Sequence, residues 1–403
     1  MSQTSSSQLS DRINSLEESA TIAMAAKARE YKSKGIDVIS LSLGEPDFKT
    51  PKHIQEGAKQ AIDEGKYFAY PPVPGYADLR QAIADKFKRE NNIEYAPEEI
   101  VVSNGAKQSI ANVFFALLNP GDEVIIFSPY WVSYSAIVQL AEGKSVLIKG
   151  GLENEFKATA DQLEAAITDR TRAIIYSSPC NPTGSVFSEE ELAAIADVVK
   201  KHDNIIVVAD EIYEHINFTG KHCSIASLPG MKEKTVTVNG FAKGFAMTGW
   251  RVGYIGAPLW LAKACSKMQG QVTSANCSIA QRAALTALTS DLGPTHEMAK
   301  QYLKRREMVH ALLQDIPGVK TNMPSGAFYF FPDVSAYFGK SDGETTIHNS
   351  NDFCMYILDN AHVSLVTGEA FGDPKCVRLS YAASEEDLKK ALSQIKNALA
   401  KLN

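Results

Sequence analysis

The stretch Thr235-Val-Thr-Val-Asn-Gly-Phe-Ala-Lys-Gly-Phe-Ala-Met-Thr-Gly-Trp-Arg251 is the most informative part of the sequence. Its β-branched beginning, Thr235–Val238, predicts a strand. A turn of small residues follows and carries one lysine, Lys243, and Arg251 comes eight positions later with a glycine two positions to either side. Small residues of this kind leave room for a bulky planar group against the backbone.

A lysine in such a turn can form a Schiff base with a carbonyl group, and a nearby arginine can hold a phosphate. Together these are the requirements of pyridoxal phosphate. The alternative is that Lys243 is one of 41 basic side chains and is simply solvated. The stretch alone leaves both interpretations open, so the rest of the chain has to decide.

Length and composition predict a globular protein of two domains. A chain of 403 residues is too long for one small core, and 44% hydrophobic with 22% charged residues is an ordinary globular composition. The net charge of -6 and the pI of about 5.8 argue against nucleic acid or an anionic membrane as the main partner. A small anionic ligand is compatible with this net charge, because it needs only a few positive groups around its binding site.

Cysteine spacing and the first residues of the sequence predict a cytoplasmic protein. The six cysteines are scattered without a CxxC pair, which predicts reduced thiols and no metal site. The first ten residues are polar and predict a frayed tail, and the acidic residues Asp11, Glu17 and Glu18 argue against a transit peptide. We find no apolar run long enough to cross a bilayer.

Strand-like and helical stretches alternate between about residues 100 and 256. Ile205–Ala209 is apolar throughout, as expected of a strand buried on both faces. Glu189–Lys201 predicts a helix with Ser188 as its N-cap. We therefore predict an α/β fold whose large domain has a mostly parallel sheet flanked by helices. The other strand-like runs in this region are Ile100–Ser103, Glu123–Phe127, Ala173–Tyr176 and Val252–Ile255.

A change of composition after about residue 290 predicts a smaller α+β domain. We place the domains at 1–49 (an N-terminal arm and part of the small domain), 50–295 (the large, cofactor-binding domain) and 296–403 (the small domain). An N-terminal helix at about Ser19–Gly35 is expected to pack with the small domain. The predicted pieces of that domain are helices over Met298–Gln314 and Glu385–Leu402, strands over Ala327–Phe331 and Val377–Tyr381, and an exposed loop over 339–351.

Unusual residues follow several of these strands, at the sheet edge where α/β proteins bind ligands. Asn104-Gly-Ala-Lys-Gln follows the first strand and opens a helix. The backbone N–H groups of Gly105, Ala106 and Lys107 could hold a phosphate at that helix N-terminus. By itself the motif is equally compatible with an ordinary glycine turn.

The next such segment, Ser177–Gly184, holds Asn181 between two prolines. A rigid asparagine amide can donate to a phenolate oxygen or a carboxylate. The alternative is a plain β-turn before a helix, which the crowding of Pro, Asn, Pro and Gly makes less satisfying but does not exclude.

Asp210-Glu-Ile-Tyr213 follows the apolar strand Ile205–Ala209. A carboxylate at the end of such a strand is costly unless it meets a cation. A pyridinium N–H would supply that cation, and the pair would keep the ring an electron sink, with Tyr213 bonding the ring's O3′. In a random protein, an N-capping Asp210 with a core tyrosine would be the better interpretation.

Taken in order, the phosphate loop, Asn181, Asp-x-x-Tyr, Lys243 and Arg251 resemble the fold type I pyridoxal-phosphate enzymes, specifically the class I aminotransferases. The resemblance runs from about Ser19 to the C-terminus, and such an ordered set is far more specific than any one member. The segments that carry it are Gly44–Phe48, Tyr130-Trp131, Asn181–Gly184, Asp210–Tyr213, Ser325–Tyr329 and Arg378–Ser380.

The resemblance implies a role for each residue that contacts the cofactor. It implies that Lys243 forms the Schiff base and acts as the base of the proton shift, and that Asp210 pairs with the pyridine nitrogen. Tyr213 and Asn181 would contact O3′. Arg251 would hold the phosphate together with the amides that open the helix.

It also implies substrate contacts and a partner subunit. Trp131 would stack on the ring, although without the resemblance it is as well explained as a core aromatic. Arg378 would bind the substrate α-carboxylate, with Asn181 and the backbone of Gly44 nearby, since a guanidinium fork suits that task. Tyr70 resembles the tyrosine that reaches the phosphate across a dimer interface, which implies a homodimer with shared active sites.

The sequence departs from the family at Gly240. Many relatives carry a hydroxyl residue three positions before the lysine, where it bonds the phosphate. With a glycine there, the phosphate contacts must be distributed differently, and the sequence names no replacement.

Substrate choice depends on Lys107, which resembles the lysine of prokaryotic-type aspartate aminotransferases that binds the distal carboxylate. The alternative is a solvated lysine at a helix start, which helix electrostatics slightly disfavour. Thr273 and Ser274 are expected to add hydroxyl contacts from the partner subunit. The resemblance thus implies ping-pong transamination between L-aspartate and 2-oxoglutarate.

Other substrates and other classes of protein compete with this interpretation. The segment Cys265–Ser274 also resembles prephenate aminotransferases, although Pro71 stands where the plant-type enzymes tend to carry a hydroxyl; aromatic or kynurenine transamination is a further alternative. A nicotinamide oxidoreductase would need GxGxxG, which is absent from the sequence. The two Gly-Lys-Ser triplets, at Gly143 and Gly339, lack the upstream glycine of an ATPase P-loop.

Overall fold

A computed structural model gives the structure of residues 8–403, so most of the predicted polar tail lies outside the described residues. Its strands are β1 (Ile39–Ser40), β2 (Ile100–Ser103), β3 (Glu123–Ser128), β4 (Lys144–Lys149), β5 (Thr171–Ser177), β6 (Ile206–Asp210), β7 (Thr235–Gly240), β8 (Gly253–Gly256), β9 (Tyr329–Phe330), β10 (Val363–Ser364), β11 (Val366–Thr367) and β12 (Val377–Ser380).

The α-helices of the described residues are α1 (Asp11–Asn14), α2 (Ala20–Ser33), α3 (Lys52–Asp63), α4 (Ala77–Lys86), α5 (Ala106–Leu117), α6 (Ser133–Leu140), α7 (Ala160–Ala166), α8 (Glu189–Val199), α9 (Leu259–Val272), α10 (Ser278–Thr289), α11 (Gly293–Gln314), α12 (Ser350–Ala361) and α13 (Glu385–Leu399). A π-helical turn, Phe87–Asn91, continues α4.

The central sheet has seven strands in the order β2-β8-β7-β6-β5-β3-β4. The neighbours from β7 to β4 are parallel, and β8 runs antiparallel to both β7 and β2. This confirms the predicted α/β fold with a mostly parallel mixed sheet. Six of the seven strands were predicted to within one or two residues at each end, and β4 was not predicted.

Both faces of the sheet are buried, which explains the unbroken apolar runs. Val208 packs on the side of α5, α6 and α9, and its neighbour Val207 packs on the side of α7 and α8. The predicted N-cap of α8 is also confirmed, because Ser188 Oγ accepts a hydrogen bond of 3.2 Å from the Glu191 amide.

The C-terminal part carries two small sheets. β1 pairs in parallel with β10, and β11, β12 and β9 form an antiparallel sheet. Met24 and Ala28 of α2 are buried in the same core as α12 and α13, which confirms that the N-terminal helix packs there. The division at 49/50 and 295/296 into domains stays a prediction.

All six cysteines have free thiols, as predicted. Within residues 8–403, none of the helices has the length and apolar content needed to span a bilayer.

Candidate active site

A cavity of about 600 Å³ opens where the parallel strands end. β5, β6 and β7 deliver their following residues to this edge, and Arg251 joins them because β8 enters the sheet in the opposite direction. The predicted site residues that line the cavity are Gly44, Ala106, Lys107, Trp131, Asn181, Asp210, Tyr213, Lys243, Arg251 and Arg378. The fold therefore brings together residues spread over most of the chain.

Asp210 is buried at the floor of the cavity. Its carboxylate accepts a 2.6 Å hydrogen bond from the Tyr134 hydroxyl and a 3.3 Å bond from the Ile212 amide. Burial raises the pKa of Asp210 to about 6, and these two donors oppose the rise. Within the described residues no cation lies within ion-pair distance of it, so its charge is stabilised by these two neutral donors and, more weakly, by the more distant Lys243.

Tyr213 lies beside Asp210 on the same turn, and its hydroxyl is 2.7 Å from that of Tyr329. Burial and this neighbour raise the pKa of Tyr213 well above its usual value, so the phenol is neutral at pH 7 and keeps a proton to donate.

Lys243 follows β7, and its ammonium donates to the backbone oxygen of Gly44. Enclosure by the cavity walls lowers the pKa of Lys243 to about 8, while the Glu45 carboxylate opposes this change. An amine with this pKa is partly neutral near physiological pH, and it can act as a nucleophile or a base there.

The first turn of α5 and Arg251 together form a place for an anion. Helix starts leave amide N–H groups without helical acceptors, and Ala106 and Lys107 occupy this position. Arg251 Nη2 donates to the Asn104 oxygen at 3.3 Å, which holds the guanidinium beside the turn.

The predicted contact of Gly105 with the phosphate stays a prediction. In this structure its N–H donates to the Ser103 oxygen at 2.8 Å. The glycine also provides space: its φ is +83°, and a Cβ at this position would collide with the Arg251 guanidinium.

The structure also explains Gly240. A Cβ there would lie 2.9 Å from Gly253 Cα and 2.9 Å from the Val252 oxygen, because β7 and β8 approach closely. A hydroxyl side chain at this position would force the two strands apart.

Arg378 is fully buried and is hydrogen-bonded to Asn181, another predicted site residue. Its Nη1 donates to Asn181 Oδ1 at 3.0 Å, and its Nη2 donates to the Ser42 oxygen at 2.6 Å. The guanidinium lies 4.8 Å from the centre of the Tyr329 ring. Its Nε is buried without a hydrogen-bond partner, which suits the binding of an anion.

Lys107 and Trp131 both line the cavity, and the Lys107 ammonium lies 4.9 Å from the centre of the Trp131 ring. The surrounding walls, and then the Arg251 guanidinium, lower the pKa of Lys107. The lysine therefore faces the cavity rather than open solvent alone.

Besides Gly105, three predicted residues do not line the cavity of their own chain. Tyr70 is 96% exposed and lies outside it. Thr273 and Ser274 also lie outside, and Thr273 accepts a hydrogen bond of 2.5 Å from Gln108. Their roles across a subunit interface stay predictions.

Sequence reasoning missed three residues that organise the site. Tyr134 bonds Asp210, Tyr329 contacts both Tyr213 and Arg378, and Asn276 donates to the Arg251 oxygen at 2.6 Å. Each lies far along the chain from its partner, so no local pattern marked it. Tyr329 ended a segment quoted for the family resemblance, which was the one available signal.

Fold and site define the class of protein: the chain belongs to the aminotransferase class I and II family, whose model matches residues 36–395. It is an enzyme of that family.

Particular relatives are similar over nearly the whole chain. A bifunctional aspartate aminotransferase and glutamate/aspartate-prephenate aminotransferase of Petunia hybrida is 46% identical, covering 97% of this chain and 82% of the relative. The crystal structure of the aspartate aminotransferase from Rhizobium meliloti has a TM-score of 0.95 at 42% identity, with coverage of 98% and 99%. The aspartate aminotransferase from Thermus thermophilus with maleate has a TM-score of 0.91 at 42% identity, with coverage of 97% and 99%.

Proposed function

We propose that the protein is a pyridoxal-phosphate-dependent aminotransferase that moves the amino group of L-aspartate to 2-oxoglutarate and forms oxaloacetate and L-glutamate. The observation that carries this proposal is the sharing of one cavity by Asp210, Lys243 and Arg378. They are a buried carboxylate, an amine of lowered pKa and a buried guanidinium.

The residues fit the cofactor. Asp210, whose ion-pair partner is missing among the described residues, would gain one from a protonated pyridine nitrogen. The Ala106 amide N–H and the Arg251 guanidinium would hold the phosphate. Gly105, which has no side chain, leaves the necessary space for the guanidinium. When bound, pyridoxal phosphate supplies an aldehyde that condenses with amines and a ring that withdraws electrons from the adjacent carbon.

The side chains have separate tasks in the reaction. Asp210 would supply a negative charge to the ring nitrogen of the bound cofactor, and Tyr213 would donate its phenolic hydrogen bond to the ring oxygen. Arg378 binds the substrate α-carboxylate, and its bond to Asn181 Oδ1 leaves the Asn181 amide N–H group available to donate. The free Lys243 amine removes the proton from the substrate Cα, for which its pKa of about 8 is suited.

Lys107 supports a dicarboxylate substrate. Its ammonium lies in the same cavity as Arg378, so the two cations can bind the two carboxylates of one small diacid. The similar Thermus thermophilus structure is an aspartate aminotransferase with maleate, which is also a dicarboxylate. Trp131, beside Lys107, would cover one side of the ring.

Prephenate is the second candidate substrate. The relative from Petunia hybrida is named for both aspartate and prephenate transamination. Prephenate also carries two carboxylates, so the same pair of cations would serve it. Pro71 in place of a hydroxyl residue favours aspartate.

A homodimer with shared sites is part of the proposal. The side chain of Tyr70 is exposed and does not line the cavity of its own chain, as expected of a residue that serves a partner subunit. A cytoplasmic location, expected from the sequence, stays a prediction.

Half-reaction spectroscopy tests the function. The purified protein should have a yellow absorption band that L-aspartate abolishes and 2-oxoglutarate restores, with one oxaloacetate and one L-glutamate formed per cycle. Prephenate, L-tyrosine and L-alanine serve as the comparison panel. A protein without the band would overturn the cofactor assignment, and a faster half-reaction with another panel member would overturn the substrate.

A further inference from the structure

The turn Asp210–His215 has two functional faces. Asp210 and Tyr213 face the cavity, whereas Glu214 and His215 are absent from its lining. The latter face meets a buried group of charged side chains behind the site. We call Lys86, Glu90, Asn91, Glu214 and His215 the buried charge cluster.

Lys86 is the centre of this cluster and is 0% exposed. Its ammonium bonds the Glu214 carboxylate, donates to Asn91 Oδ1 at 2.7 Å and lies 3.6 Å from Glu90. Asn91 Nδ2 in turn donates to the second Glu214 oxygen at 2.8 Å. Burial alone would raise the pKa of Glu214. Lys86, with smaller contributions from His215, His222 and Asn91, outweighs burial and lowers that pKa, so the carboxylate is ionised.

The cluster also touches the turn that carries Lys243. His215 Nε2 lies 3.1 Å from Glu90 Oε2. The other side of the His215 ring packs on Gly244, where a Cβ would lie 2.8 Å from Nδ1, and the ring meets Phe245 edge-on at 5.3 Å. Glu214 follows Tyr213 and Gly244 follows Lys243, so one cluster contacts both turns of the site.

A metal ion is a poor alternative occupant. Ligand atoms of Glu90, Glu214 and His215 lie close enough together to hold one, as do those of Glu211, Glu214 and His222. However, the Lys86 ammonium already binds Glu214, which is common to both groups. A divalent ion beside it would be repelled in a low-dielectric interior. The cation of this cluster is the lysine.

We propose that Lys86 is a positioning residue for the active site: by holding Glu214, and through Glu90 and His215, it fixes Tyr213 and Lys243 relative to each other. The π-helical turn Phe87–Asn91 serves this arrangement, since it brings Glu90 and Asn91 to the same ammonium. The inference rests on the proposed function, because the two turns carry Tyr213 and Lys243, the residues proposed to contact the cofactor.

The test uses the holoenzyme and a paired variant that removes both buried charges, Lys86→Met with Glu214→Gln. Lys86→Met alone would leave an uncompensated buried carboxylate and is expected to fold poorly. The matched control is Lys232→Met with Glu99→Gln, a partly buried lysine–glutamate pair of 3.0 Å outside the cavity lining.

We expect the Lys86/Glu214 pair variant to shift the pH midpoint of the cofactor's visible band by about 0.5 unit or more. We also expect kcat to fall about tenfold with KM for L-aspartate within about twofold. The control pair variant should leave the pH midpoint, kcat and KM unchanged. A folded Lys86/Glu214 variant with the wild-type midpoint and kcat would overturn the proposal.

A single variant keeps the proposal testable if the pair variant does not fold. His215→Asn leaves Lys86 and Glu214 in place but removes the ring from Gly244, and it should move the same midpoint in the same direction by a smaller amount. An unchanged midpoint in folded His215→Asn would overturn the proposal. A wild-type protein without any cofactor band would instead reject the proposed function, so the two failures are distinguishable.

Discussion

The Tyr134 hydroxyl donates a 2.6 Å hydrogen bond to Asp210 Oδ2, and both side chains are almost completely buried. Burial raises the pKa of the carboxylate to about 6, and Tyr134 opposes this by stabilising the charged form. The Tyr134 hydrogen bond therefore favours an ionised Asp210 in the cavity wall, where the ring nitrogen of the proposed cofactor would lie.

Replacing Tyr134 by phenylalanine should weaken cofactor binding. The carboxylate loses its shortest hydrogen bond, so the pKa of Asp210 rises further and less of it is charged near neutral pH. We expect the dissociation constant of pyridoxal phosphate to rise about tenfold, equivalent to about 1.4 kcal/mol. The acid limb of the kcat/KM profile should move to higher pH.

Fluorescence titration of the cofactor-free variant measures this change. Tyr176→Phe is the control, since Tyr176 is also fully buried on β5 but does not line the cavity. Equal dissociation constants for Tyr134→Phe and the wild type would contradict the role given to this bond.

The lowered pKa of Lys243 predicts an unusual pH dependence of its chemical modification. An amine reacts with acylating reagents only when neutral, so in the cofactor-free protein its labelling rate should rise with an apparent pKa of about 8. The exposed Lys263, followed in the same samples, is the control. Peptide mass spectrometry across a pH series gives both curves, and coincident curves would exclude the lowered pKa.

The strands and the residues directly after them were predictable, because both signals are local. β-branched runs mark buried strands, and a polar residue such as Asp210 at a strand end is costly without a purpose. Tyr134 was not predictable in this way, since 76 positions separate it from Asp210 and only the fold brings them together. The close approach of Gly105 to the Arg251 guanidinium was not predictable either, since a sequence gives no distance between the two residues.

Lys107 should determine the preference for dicarboxylates. Lys107→Met keeps much of the side-chain length beside Trp131 but removes the charge, so kcat/KM for L-aspartate should fall about tenfold to a hundredfold. The value for L-alanine, which lacks a distal carboxylate, should change less than about threefold. Stopped-flow half-reactions with both amino acids provide the comparison, with Lys263→Met as the control. A parallel loss for both substrates would remove Lys107 from substrate selection.

Gly240 should be intolerant of the hydroxyl residue that many relatives carry. Gly240→Ser places a Cβ 2.9 Å from Gly253 Cα, so the free energy of unfolding should fall by about 1–3 kcal/mol. In Gly249→Ser the added Cβ has open space, and the loss should stay within about 0.5 kcal/mol. Urea unfolding of the cofactor-free proteins tests this, and equal stabilities of the two variants would show that β7 and β8 can move apart.

The central claim is that Lys243 carries the cofactor covalently. Borohydride reduction of the holoenzyme fixes such a Schiff base, and peptide mass spectrometry then locates it. We predict a phosphopyridoxyl group on the peptide containing Lys243 and none in Lys243→Arg, which keeps the charge. A label on another lysine, or an unlabelled wild-type protein, would contradict the account.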